Sequence, residues 1–181
     1  MPVFISLLRG INVGGNKRIK MADLRTLYQS LGLTNVQSLL QSGNVSFESD
    51  LADHGAITAM IEAEIQRAYA FEVRVLLRNA EEFRSSLEKH PFTAAQLQEP
   101  TKLLISYLST MPTDTDIKTL KSGYDGSEDI LWRGKELYVF YVNGMARSKL
   151  TNLYIERKLG MVSTGRNWNT VTKIVNLLAT Y

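Results

Sequence analysis

The chain has 181 residues, 44% of them hydrophobic and 22% charged, and a formal net charge of +3, enough length for one or two domains with a self-sufficient core. With no cysteine and only two histidines, a disulfide framework, thiolate catalysis, cysteine-held metals and a histidine-rich metal site are excluded. No metal site and no cofactor is expected.

The residues from Met1 to Arg9 carry no basic leader, and no stretch is long and apolar enough to span a bilayer, so the expected location is the cytoplasm, with no membrane partner. Val3 to Leu8 reads as an apolar strand, followed by a glycine-rich segment from Arg9 to Lys20. Leu24, Leu27, Tyr28 and Leu31 then recur at helical spacing, and Gly32 ends the helix. Val36 to Leu40 and Val45 to Phe47 read as strands joined at Ser42-Gly43-Asn44, a hairpin signal. Ile57, Met60, Ile61 and Ile65 mark a second helix, and Phe71 to Leu77 a fourth strand.

The second half repeats the scheme. Asn79-Ala80-Glu81-Glu82 has the form of a capping box, opening a helix that His90-Pro91 ends. Leu103 to Leu108 reads as a strand, Thr113 to Lys121 as a short helix, and Ile130 to Arg133 with Glu136 to Val142 as a hairpin about Gly134. A helix from Met145 to Leu159, a short strand at Met161 to Ser163 and a helical stripe of Trp168, Val171, Ile174, Val175 and Leu178 follow. The expected fold is α+β: two consecutive ferredoxin-like (β-α-β-β-α-β) units, residues 1–78 and 79–181, the second decorated with extra helices. Residues 137–142 are apolar at both parities, so both faces of that strand should be covered, with helices at 79–89 and 168–178 as the lids.

Chain direction in such a unit brings the loop after the first strand beside the hairpin between the second and third. That gathers Arg9, Asn12, Gly14, Gly15, Asn16 and Lys17 with Gln41, Ser42 and Asn44. In the second unit the polar turns follow the third and fourth strands, at the opposite end. They offer Arg147, Ser148 and Lys149 with Arg166, Asn167 and Asn169. Glycine turns and helix amino-termini present backbone donors, and arginine adds bidentate contacts, so these residues are candidates for binding an anion. A purely structural role for the turns stays open, and Asp23 reads as a dipole-favoured residue of the first helical turn. The glycine segment has neither phosphate-loop nor dinucleotide spacing. Residues 131–181 carry eight basic and two acidic side chains, in keeping with an anionic partner or with a solvated basic face.

Leu7-Leu8-Arg9-Gly10-Ile11-Asn12-Val13-Gly14-Gly15, Gln41-Ser42-Gly43-Asn44-Val45, Arg147-Ser148-Lys149-Leu150-Thr151 and Arg166-Asn167-Trp168-Asn169-Thr170-Val171 together resemble the bacterial family called domain of unknown function 1697. The resemblance spans nearly the whole chain and implies a two-part α+β architecture with ferredoxin-like elements. It implies no activity. Gly165, where alanine is the more usual residue, is a minor departure.

The sequence thus favours a binding module for a phosphate-bearing small molecule or nucleic acid. Two alternatives stand beside it: an enzyme working by electrostatic stabilisation of a phosphorylated or carboxylated substrate, and an assembly protein pairing through the doubly apolar strand.

Overall fold

The computed structural model describes Met1–Tyr181. Its elements run β1 (Val3–Leu8), α1 (Met21–Ser30), β2 (Thr34–Leu39), β3 (Asn44–Glu48), α2 (His54–Tyr69), β4 (Val75–Asn79), α3 (Ala80–Glu88) and α4 (Ala94–Leu97). They continue through β5 (Leu103–Leu108), α5 (Asp114–Lys121), β6 (Asp129–Arg133), β7 (Glu136–Phe140), α6 (Asn152–Leu159), β8 (Ser163–Asn167) and α7 (Trp168–Leu178). Two four-stranded antiparallel sheets and seven helices make this an α+β protein. No helix is long and apolar enough to cross a membrane.

The chain divides into two compact units, Met1–Ser85 with Ile174–Tyr181, and Ser86–Lys173. The junction expected between residues 78 and 79 falls instead inside α3, and the end of α7 belongs to the first unit. Polar contacts explain the return of the tail. Arg84 donates to the Leu178 carbonyl at 2.7 Å. The Tyr181 hydroxyl lies 2.6 Å from the Asn35 carbonyl and 2.8 Å from Ser46 Oγ, tying the last residue to β2 and β3.

In the first unit the strand order is β2-β3-β1-β4. Strand alternation puts Phe4 and Leu8 in a core with Val45, Phe47 and Leu77, closed by Leu24 and Tyr28 of α1 and Ile57, Ile61 and Ile65 of α2. Burying each aliphatic side chain contributes about 1.5–3 kcal/mol. Ser6, at the same parity, is satisfied by the Tyr28 hydroxyl at 2.9 Å and the Val45 carbonyl at 3.1 Å. Asp53 caps α2 through the Gly55 and Ala56 amides.

In the second unit the order is β6-β7-β5-β8. Leu108, Leu137 and Val139 form its core with Ile117 and Leu120 of α5 and Ile155 and Leu159 of α6. At the other parity Tyr138 is buried, donates to the Ser86 carbonyl of α3 at 2.8 Å, and meets Phe92 edge to face. Trp168 of α7 in turn packs on Phe92 and His90. Both faces of β7 are therefore covered within the unit. Its edges are taken by β6 and β5, which leaves no free backbone edge for another chain.

Several boundaries move, each for a local reason. Ala70 adopts a left-handed φ of 59° at the end of α2, so β4 starts at Val75 rather than Phe71. Leu40 turns with a φ of 60°, which ends β2 one residue early. Thr151 caps α6 through the Tyr154 amide, so residues 145–151 are turns and not helix. The final strand is Ser163–Asn167 rather than Met161–Ser163, and α7 follows it at once. The box at Asn79 forms reciprocally with Glu82, at 2.8 and 2.9 Å.

Candidate functional site

In the first unit the loop between β1 and α1 folds onto the β2–β3 hairpin. Gly10, Asn12, Gly14, Gly15 and Lys17 all have positive φ, which non-glycine residues adopt only when held. Asn12 is held by its own side chain. Its Nδ2 donates to the Ile19 carbonyl at 3.0 Å and the Gln41 carbonyl at 2.8 Å, and its Oδ1 accepts the Ile19 amide at 2.9 Å. Lys17 Nζ donates to the Glu72 carbonyl at 2.7 Å.

Beside this loop lies a cavity of about 630 Å³ lined by Asn12, Gly15, Arg18, Ile19, Lys20, Asp23, Gln41 and Tyr69. Ile19 is buried, while Arg18 and Lys20 on either side of it are exposed. Neither cationic side chain makes a hydrogen bond or ion pair, although Asp23 lines the same cavity. Lys20 is also the residue preceding α1 and provides no side-chain cap, so the first-turn amides lack a side-chain partner. Burial, and then the Asp23 carboxylate, push the Tyr69 phenol above its usual range.

Of the residues expected from the sequence, Asn12, Gly15 and Gln41 line this cavity. Arg9 donates its amide to the Arg74 carbonyl, and the Asn16 amide bonds the Val13 carbonyl within the loop. Gly14 provides a φ of 61°. Ser42 and Asn44 build the hairpin: Asn44 Nδ2 donates to the Leu39 carbonyl and to Ser42 Oγ. Arg18, Lys20 and Tyr69 are not among the residues expected from the sequence, and Asp23 is expected only as a residue of the first helical turn. The alternation of Arg18 and Lys20 about an apolar residue is a signal that finds the first two. Nothing local marks Tyr69, which arrives from the far end of α2.

In the second unit Arg147, Ser148 and Lys149 line a smaller concavity of about 270 Å³ with residues 124–128, Asn143 and Gly144. Glu128 organises it, accepting from the Tyr124 hydroxyl at 2.5 Å and from Ser148 Oγ. Burial raises the Glu128 carboxyl, but the Ser148 and Tyr124 hydrogen bonds outweigh it and hold it below the ordinary range. Gly126 wraps so closely that a β-carbon there would lie 2.2 Å from Glu128 Oε2. Lys149 approaches Asp125 at 3.5 Å, and Asn143 Nδ2 donates to Ser127 Oγ.

Arg166, Asn167 and Asn169 do not join this lining. Arg166 and Asn167 are the last residues of β8, and β5 separates β8 from β7, which sets the two turns about 9–10 Å apart in the sheet. Arg166 is buried, donates to Thr164 Oγ1 and the Gly165 carbonyl, and is pushed down to about 10 by desolvation. Asn167 caps α7 through the Thr170 amide at 2.8 Å, and Asn169 is exposed. Of the basic residues of the last third, Arg166 is interior and Lys158 lies over the Tyr154 ring. No group of three or more His, Asp or Glu side chains is placed to hold a metal ion.

The family model described as "Protein of unknown function (DUF1697)" matches residues 1–138. No curated protein matches the chain. Among solved structures, that of the conserved bacterial protein SP0830 from Streptococcus pneumoniae is similar over 98% of both chains, with a TM-score of 0.75 and 24% identity. At that identity the likeness bears on the fold.

Proposed function

Because this chain belongs to the DUF1697 family, whose description names no activity, its function has to be read from its own side chains, and we propose that the first unit binds a phosphate-bearing small molecule. The observation that carries the reading is the pair of unpartnered cations, Arg18 and Lys20, that line this cavity just before the uncapped start of α1. An anion placed there gains two charge-assisted contacts together with first-turn amides. The Asn12 hydrogen bonds fix the loop in advance, which lowers the ordering cost of binding.

Two further inferences accompany this reading. Each unit is ferredoxin-like, supported by the β-α-β-β-α-β order and the all-antiparallel arrangement with the first strand central. We also propose that the protein works in the cytoplasm, in keeping with a fold in which no helix is long and apolar enough to cross a membrane.

Isothermal titration with inorganic pyrophosphate at low salt tests the binding reading. Arg18→Ala and Lys20→Ala should each weaken binding about tenfold, the equivalent of one charged hydrogen bond of about 1.5 kcal/mol. Arg147→Ala, in the other unit, should leave affinity unchanged. Pyrophosphate that fails to bind, or that binds the double variant as well as the parent, removes the proposal.

A further inference from the structure

Anion binding accounts for Arg18 and Lys20 but gives no part to two other residues lining the same cavity, Asp23 and Tyr69. Asp23 presents an exposed carboxylate that neither neighbouring cation engages. For a bare anion this is a defect, because a like charge in the site repels the ligand. Tyr69 presents an aromatic ring, stacked on Phe71 with centroids 5.7 Å apart and planes at 29°. The Asp23 charge acts on the Tyr69 phenol, so the acceptor and the ring share a field.

We propose that the cavity takes a guanine nucleotide, a proposal that rests on the anion-binding reading above. The phosphate meets Arg18 and Lys20, the base lies against Tyr69, and its Watson–Crick edge meets Asp23. The choice of base follows from the carboxylate. An ionised carboxylate only accepts hydrogen bonds, on two oxygens side by side. The guanine edge offers two adjacent donors, N1–H and the N2 amino group, which match that pair. The adenine and cytosine edges set a single donor group beside an acceptor, and the uracil edge sets one donor between two acceptors, so each turns a lone pair towards one carboxylate oxygen. Aromatic side chains supply stacking platforms for any base, so Tyr69 adds affinity and Asp23 adds selectivity. A cavity of about 630 Å³ is also of ligand size, within the roughly 300–1,000 Å³ of small-molecule sites.

The test is calorimetric titration of the intact chain with inorganic phosphate, GMP, IMP and AMP at low salt. IMP keeps N1–H and lacks the N2 amino group, so it isolates one donor. GMP should bind about tenfold more tightly than IMP, one hydrogen bond to a charged acceptor, and AMP more weakly still. Asp23→Asn should bring GMP to the IMP level while leaving inorganic phosphate at least as tightly bound. Tyr69→Ser should weaken all three nucleotides and not phosphate; Asp23, exposed on the helix surface, keeps the test valid if the Tyr69 variant unfolds. If GMP, AMP and phosphate bind alike, or if GMP selectivity survives Asp23→Asn, the guanine proposal is wrong and the anion reading stands. If no probe binds, both fall together.

Discussion

The two units solve one topological problem twice and differ where they meet solvent. Residues 3–8 pair in the first sheet as residues 103–108 pair in the second. Ser6 faces Val45 and Leu77, and Ser106 faces Leu137 and Gly165. Leu8 and Leu108 each donate to a hairpin carbonyl, Gly43 at 2.8 Å and Lys135 at 2.9 Å. Arg78 and Arg166 pair opposite Ile5 and Ile105, followed by the helix-capping Asn79 and Asn167. Yet the first unit spends its long polar loop between β1 and α1, and the second spends its own between β7 and α6. Strand alternation and pairing specify the scaffold, while the placement of the long loop decides which end of it carries the polar turns.

The largest test of that contrast lies in the hairpins. A β-carbon on Gly43 would stand 2.7 Å from both Leu8 Cβ and Ile11 Cδ1, at a φ of 74°. The hairpin and the cavity loop can approach only because that atom is missing. Gly43→Ala should cost the first unit about 3 kcal/mol or more, combining left-handed strain of about 1–2 with overpacking of about 1–3. Gly134 in the second hairpin meets nothing closer than Glu136 Oε2 at 3.6 Å, so Gly134→Ala should cost only the strain, about 1–2 kcal/mol. Denaturant melts of both variants measure the difference, and equal losses would break the claim that the two hairpins are packed differently.

A second pair of substitutions should differ in sign. Ser6 Oγ is bonded to the Tyr28 hydroxyl inside the first core, and Ser6→Ala leaves that phenol short of a partner at a cost of about 1–3 kcal/mol. Ser106 occupies the equivalent place, but its buried Oγ has no partner, since α5 offers Ile117 and Leu120 where α1 offers Tyr28. Ser106→Ala should therefore be neutral or stabilise by up to about 1 kcal/mol. Urea titrations of the two single variants suffice, and a destabilised Ser106→Ala chain would show that the hydroxyl is satisfied in solution.

These same residues mark how far the sequence was legible. The element order, the capping box at Asn79 and the double burial of β7 follow from spacing and parity, which act within a few residues. The helix expected from Met145 to Leu159 starts only at Asn152, because Ser148 and Thr151 divert the backbone before it into turns, and side-chain-to-backbone competition leaves no periodic trace. Asn12 and Gln41 were legible as neighbours because strand direction alone brings their loops together. The grouping of Arg147 with Asn167 failed to form one lining because strand order, with β5 between them, is a second condition that direction does not supply. Tyr69 was invisible: only the packing of α2 brings it to a loop some fifty residues earlier.

A weaker difference between the units lies in proton binding at His90. His90 in the second unit stacks on Phe92, meets Trp168 edge to face at 5.1 Å, and accepts the Phe92 amide on Nδ1 at 3.2 Å. Desolvation, and then the charge of Arg133, lower its pKa from the ordinary 6.5. The folded imidazole is thus still neutral in a window just below pH 6.5 where the unfolded one has taken a proton. The unfolded state binds more protons there, so stability falls as the pH falls through that window. Protonation would also remove the acceptor that the Phe92 amide uses. Thermal melts from pH 7 to pH 5 should therefore show the second unit losing more than its His90→Phe variant does. Carboxylate titration acts on both chains alike and cancels in the difference. Parallel pH profiles for the two would mean that the imidazole titrates as it does in water, and that the Phe92–Trp168 cluster is open to solvent.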